Sequence, residues 1–257
     1  MVDQQIPLAI ITPCFNEQEA IPHLAETLAH FQQNQGAIFD ITYIFVDDGS
    51  SDRTWELLNR YFPPSDKQLL LRHAQNQGIG GAIISGFQAV DTEYVAVIDS
   101  DCTFHPDQLA DMMQLMAEDV DVVTSSPLHA AGQMRDVPRW RQAMSYGAAH
   151  LYRLVLRQQL SSYTSCFRIF RSRLVADMRL SNYGFCGVTE ILARLDMQGA
   201  RIAEFPAVLG SREYGRSKIN TLRTVVDHLQ MVGKIVFAKW LGVSLKDLPV
   251  PDLKHGG

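Results

Sequence analysis

Two features of the 257-residue sequence predict an α/β fold, a mostly parallel sheet with helices on both faces. Short apolar runs alternate with amphipathic stretches, and polar motifs stand where the apolar runs end. Leu8-Ala9-Ile10-Ile11 reads as the first buried strand and residues 19–31 as an amphipathic helix. Residues 41–46 form the next strand, which runs into Asp47-Asp48-Gly49-Ser50-Ser51-Asp52, a turn and capping cluster before a helix over 54–61. Leu69-Leu70-Leu71 is a third strand, followed by a Gly-rich turn and a helix over 81–90. Residues 94–98 are the fourth strand, 106–118 a helix and 120–123 the fifth strand. The second half is less regular. It reads as a loop over 128–137, an arginine-bearing helix over 140–156, a strand over 165–170, a helix over 189–197 and a strand over 201–208. A polar loop over 211–220 then leads to a long amphipathic helix, residues 221–241.

The length and 46% apolar content support a sizeable core, and the composition excludes disordered, collagen-like and disulfide-stapled classes. Without an internal repeat or low-complexity linker, one continuous domain is expected over residues 1–220. Residues 1–134 and 135–220 are its two halves, and the helix and tail 221–257 follow. No apolar run reaches the roughly 20 residues of a membrane span. The N-terminal residues lack the order of a signal peptide, so a cytoplasmic location with four reduced, scattered cysteines is expected.

The net charge of −5 conceals an asymmetry. Residues 1–134 carry 4 Lys+Arg against 19 Asp+Glu, or −15, whereas residues 135–257 carry 19 against 9, or +10. An acidic half suits a cation and a basic half suits an anion. Nucleic acid is disfavoured, because the basic residues come with no recognisable binding module.

Ligands of such sheets sit at the carboxyl ends of the strands, and four motifs stand there. Asp99-Ser100-Asp101 follows the fourth strand; two carboxylates one residue apart can hold Mg²⁺ or Mn²⁺ against a diphosphate. Pro13-Cys14-Phe15-Asn16-Glu17 follows the first strand, and Asp47-Asp48-Gly49-Ser50 the second, where a carboxylate can accept from a base or ribose. Asn76-Gln77-Gly78-Ile79-Gly80-Gly81-Ala82 follows the third; it is not GxGxxG, and its glycines permit close backbone approach.

In this order, over residues 8–218, the motifs resemble the inverting family-2 glycosyltransferases of the GT-A (Rossmann-like) fold. Within them, Ser165-Cys166-Phe167-Arg168 is similar to the S-G-F-R of the dolichyl-phosphate (polyprenyl-phosphate) mannose or glucose synthase branch, and residues 212–218 resemble its R-x-x-G-x-S-K. The resemblance implies that Pro13, Phe15, Glu17, Val46 and Asp48 contact the nucleoside. It implies that Asp99, Ser100 and Asp101 bind the sugar diphosphate, with Asp101 on the metal beside Asp99 and Thr103. Arg212 and Lys218 would close over the diphosphate, and Arg141 and Ser145 would face the acceptor phosphate. Glu190 aligns with an acidic position that serves as a catalytic base or caps a helix start.

The chain also departs from the branch. Thr103 stands where the family usually has a Gln metal ligand, Ser126-Pro127-Leu128 replaces S-R-Y, and Cys166 replaces Gly. The expected activity is hexose transfer from a GDP-mannose or UDP-glucose type donor to a polyprenyl phosphate. The alternatives are a soluble transferase with a hydroxyl acceptor and an inert nucleotide-sugar-binding module. In the last helix, Leu222, Val225, Val226, Leu229, Val232, Val236 and Trp240 recur at helical spacing near Arg223, Lys234 and Lys239. That pattern suits an interfacial helix on the cytoplasmic face of a membrane, or one packed on the core or a partner subunit as a homo-oligomer.

Overall fold

A computed structural model describes residues 5–211, Tyr214, 221–243 and Leu245. Its centre is a seven-stranded sheet in the order β3-β2-β1-β4-β7-β5-β8. The first half supplies β1 (Ile6–Cys14), β2 (Phe39–Asp47), β3 (Gln68–Arg72), β4 (Tyr94–Val97) and β5 (Val122–Ser126). They alternate with α1 (Ile21–Gln35), α2 (Thr54–Tyr61), α3 (Ile79–Phe87) and α4 (Gln108–Gln114). β6 (Gln133–Met134) ends the first half, and the rest of the chain adds α5 (Arg139–Val155), β7 (Arg168–Arg171), α6 (Phe185–Met197), β8 (Ile202–Pro206), β9 (Val208–Leu209) and α7 (Thr221–Leu241). All pairings in the large sheet are parallel except those of β7, which runs antiparallel between β4 and β5. The short β6 and β9 pair separately.

The period-2 alternation along β1 divides the core. Leu8 and Ile10 pack with α1, α2 and α4 on one face, while Ala9 and Ile11 pack with α3, α5, α6 and α7 on the other. Helices cover both faces, as the sequence predicts. The expected helix over 54–61 and the last helix coincide with α2 and α7. Met112 and Met113 are buried in α4 as packing residues. α6 begins at Phe185, four residues before the expected 189, because Gly184 leaves the helix in extended geometry and caps it there.

α7 does two things at once. Thr224, His228, Met231, Ile235 and Ala238 are buried, and α7 packs against α5 and α6. The boundary expected at residue 221 therefore starts a helix of the same core. The stripe read from the sequence faces the other way: Leu222 is 81% exposed and Trp240 79%, with Val225, Val226, Leu229 and Val236 also exposed. No helix among the described residues is long and apolar enough to cross a membrane.

Candidate active site

At the carboxyl ends of β1, β2 and β4 lies an open cleft of about 710 Å³. Pro13, Phe15, Glu17, Asp48, Asp99, Ser100, Asp101, Thr103, Arg141 and Ser145 all line it, so residues up to 132 positions apart in sequence meet where the motifs predict. Two expected residues are elsewhere. Val46 is a core residue of β2 with no exposed surface, because the strand's pleat turns it onto the α3 face. Glu190 is 1% exposed in the second turn of α6, away from the cleft. Arg212 and Lys218 lie outside the described residues; Ser211 is at the cleft lip.

The loop after β1 is fastened to the loop after β2. Asn16, in the left-handed region at φ 51°, donates its backbone N–H to Ser50 Oγ (2.9 Å) and accepts from the Ser51 N–H at Oδ1 (2.8 Å). The Glu17 N–H donates to Thr54 Oγ1 at 2.7 Å, and Asp47 accepts from the Ser50 N–H at 3.0 Å and pairs with Arg72. The loop that carries Phe15 and Glu17 into the cleft is therefore held by the neighbouring strand end, which preorganises the wall.

The turn after β4 is equally tight. Cys102 takes φ 51°, and its N–H donates to the Asp99 carbonyl at 3.2 Å. Thr103 donates both its N–H (3.1 Å) and its hydroxyl (3.0 Å) to Asp101 Oδ1. Thr103, expected as a metal ligand, thus orients the aspartate. Its own carbonyl accepts from the Gly210 N–H at 2.7 Å, which ties this turn to the end of β9, just before residues 212–218. Burial pushes the Cys102 thiol up to about 12, and burial, chiefly, with Asp99 alongside raises Cys166, so both stay protonated thiols.

The other wall comes from the second half. Ser162, Thr164, Ser165 and Cys166 line it, on a segment pegged from below by charged side chains, Asp196 and Arg168 buried and Glu204 half-buried. Asp196 accepts from the N–H groups of Arg157 (2.8 Å) and Gln158 (3.0 Å), and Glu204 from that of Ser161 (2.6 Å). Arg168, 1% exposed, donates to Thr124 Oγ1 and to the carbonyls of Val188 and Tyr163. Burial lowers its pKa to about 10, so it stays charged at neutral pH. Glu190 belongs to this scaffold: Arg194 Nη2 contacts Oε1 at 2.6 Å, the Ser181 N–H donates to Oε1 (2.7 Å) and the Asn182 N–H to Oε2 (2.9 Å). Both of its oxygens are bonded within the core, where it ties α6 to residues 181–182. Sequence reasoning also missed Asp136 and Ser162, which line the cleft from irregular segments without a motif.

The hard oxygen donors of Asp99 and Asp101 suit a divalent cation. No group of three His, Cys, Asp or Glu side chains among the described residues could hold an ion unaided, so a diphosphate and water would complete the coordination.

The curated relatives include the dolichol-phosphate mannosyltransferase of Pyrococcus furiosus, 26% identical over 242 residues, covering 91% of this chain. They also include the undecaprenyl-phosphate 4-deoxy-4-formamido-L-arabinose transferase of Pectobacterium carotovorum, 27% identical over 227 residues, covering 88%. The chain spans 64% and 66% of these relatives' own lengths. The fold matches glucosyl-3-phosphoglycerate synthase of Mycobacterium tuberculosis with a TM-score of 0.65 at 18% identity, covering 93% of this chain and 81% of that one. That enzyme has also been solved with Mn²⁺ and UDP-glucose. Residues 9–179, which carry β1 to β7 and every motif on the donor wall, match the model of glycosyl transferase family 2, and the chain belongs to that family.

Proposed function

We propose that the protein transfers a hexose, with inversion, from a nucleoside-diphosphate sugar to a polyprenyl phosphate at a membrane surface. One observation carries this reading. The donor wall (Asp48, Asp99, Asp101) and the acceptor residues Arg141 and Ser145 share one cleft, whose α5 side continues into exposed apolar surface. On α5, Trp140 (52% exposed), Tyr146 and Leu154 face outward, and α7 packs beside it with its own outward stripe. A lipid phosphate fits this layout, with the phosphate at Arg141 and Ser145 and the chain along the apolar helices.

Pro13, Phe15 and Glu17 bound the nucleoside end, and Asp99 and Ser100 the sugar diphosphate. Asp101, oriented by Thr103, and Asp99 would hold Mg²⁺ or Mn²⁺, which when bound neutralises charge on the departing diphosphate. Arg212 and Lys218 would add positive charge to the same leaving group. Arg141 and Ser145 orient the acceptor phosphate for direct attack at the anomeric carbon. A phosphate monoester is anionic at neutral pH and needs no general base, which agrees with the position of Glu190 in the core.

The test is to incubate the full chain with Mn²⁺, UDP- and GDP-hexoses and polyprenyl phosphate in anionic vesicles, and to identify the product by mass spectrometry. A polyprenyl-phosphate hexose of inverted anomeric configuration is expected, and Asp136→Asn should make it at a rate within about twofold. Transfer only to soluble hydroxyl acceptors, lost in Asp136→Asn, overturns the lipid acceptor; tight nucleotide-sugar binding without turnover points to a binding module.

A further inference from the structure

Asp48 ends β2 beside the cleft, but its carboxylate is turned to the protein. Oδ1 meets His73 Nδ1 at 2.7 Å and the Gln77 N–H at 2.8 Å. Oδ2 accepts from Asn76 Nδ2 and from the Gly78 N–H, both at 2.8 Å. Four donors fill the in-plane lone pairs of the two oxygens. A carboxylate only accepts, so His73 carries its proton on Nδ1, and its Nε2 meets Ser85 Oγ of α3 at 2.8 Å. The ring is 9% exposed. A chain of contacts thus runs from α3 through Ser85, His73 and Asp48 to the 76–78 segment, joining the ends of β2 and β3.

That segment has little room to move. A Cβ on Gly49 would stand 2.6 Å from the Gln75 carbonyl carbon, and one on Gly78, at φ +94°, would stand 2.4 Å from the Tyr183 oxygen. Asn76, Gly78 and Ile79 line the cleft. Because the Asn76 amide gives its nitrogen to Asp48, its Oδ1 is turned away from that carboxylate.

We propose that His73 is a positioning residue for donor recognition. It fixes the Asp48 carboxylate, which in turn fixes residues 76–78, so the end of β2 and the 76–78 turn present one preorganised edge to the nucleoside. This deepens the donor-site reading above and rests on it.

The experiment compares His73→Ala, His73→Asn and His73→Gln with the native full chain, measuring kcat and KM for the donor, binding of UDP and GDP with Mn²⁺, and melting temperature. An Asn side chain places an N–H donor close to the position of Nδ1, whereas Gln reaches toward Ser85. His73→Ala should raise KM and the nucleotide Kd about tenfold with kcat within about twofold, the loss of one hydrogen bond to a charged group. Asn should restore most of the affinity and Gln should not. If His73→Ala fails to fold, Ser85→Ala, which removes only the Nε2 contact, should raise KM about threefold. An unchanged KM in a folded His73→Ala, a loss in kcat alone, or Asn and Gln behaving alike overturns the proposal. The binding arm separates it from the reading beneath it. If the native chain binds UDP or GDP but transfers nothing, the His73 effect on Kd still decides; if it binds neither, the donor site itself fails and His73 with it.

Discussion

On the donor side of the cleft, the functional side chains stand on the strand ends themselves, and short loops from adjacent strands hold them. Asn16 is bonded to Ser50 and Ser51, Glu17 to Thr54, and Asp101 to Thr103 two residues on. On the acceptor side, the cleft residues Ser162, Thr164 and Ser165 sit on an irregular segment, and charged side chains hold it: buried Arg168 just beyond it, and buried Asp196 and half-buried Glu204 from farther along the chain. One wall is stiffened locally and the other from beneath. Substitutions should therefore damage chemistry on the first wall and folding on the second.

The largest test of that contrast is Glu190→Gln. A buried pair that loses one partner costs about 3–5 kcal/mol, and Arg194 is 5% exposed in its contact with Glu190. Urea denaturation should show a loss of this size, with turnover per folded molecule little changed. Normal stability with abolished turnover would return Glu190 to the chemistry. Asp101→Asn is the mirror case: transfer should fall about 10²–10³-fold, the scale of removing one electrostatic group from a preorganised site, while the melting temperature holds. A variant that unfolds instead would mean the donor wall depends on that carboxylate for its fold.

A smaller effect concerns pH. His228 is on the buried face of α7, where its Nδ1 lies 2.8 Å from the Tyr152 hydroxyl and 3.7 Å from Cys186 Sγ. Burial lowers its pKa, opposed by Asp227. A group whose folded pKa is depressed below the free value of about 6.5 contributes stability at higher pH and loses it as pH falls below that value. Denaturation midpoints should therefore drop between pH 7.5 and 5.5, and less so in His228→Gln. The smallest effect on the fold is expected from the outward stripe. Leu222→Ser with Trp240→Ser should change stability by no more than about 0.5 kcal/mol per site, yet lower sedimentation with anionic vesicles. A dimer in light scattering that the double variant dissolves would assign the stripe to a second copy instead.

The same contrast explains what was legible in the sequence. Strand-end motifs are local: a run such as Tyr94–Val97 followed by Asp99-Ser100-Asp101 announces both element and site. The pegs were only partly legible: Arg194 stands at i+4 from Glu190, a spacing that permits an ion pair, but nothing in the sequence shows that Ser181 and Asn182 close over its oxygens. Val46 was misplaced for a different reason. Motif adjacency put it beside Asp48, whereas Val46 lies inside β2 with its side chain packed in the core and Asp48 stands just past the strand end. In α7, the sequence pattern found the apolar stripe, and only the fold revealed that Met231, Ile235 and Ala238 were the inward face.

The antiparallel β7 has a consequence for how the chain is assembled. Every acidic residue of the donor wall has emerged by Asp101, and β5 ends at Ser126, yet β4 and β5 are not neighbours. β7 lies between them, pairing Tyr94 with Arg171 and Val122 with Phe170. A nascent chain that has reached only β5 therefore has a four-stranded sheet, β3-β2-β1-β4, with β4 as an open edge and β5 without its β7 partner. Closing that gap requires a contact across about 75 residues, the kind of non-local pairing that forms late. During synthesis, the carboxylates would thus wait on an unfinished sheet until β7 closes it, and that exposed edge is where premature termination or a chaperone would act.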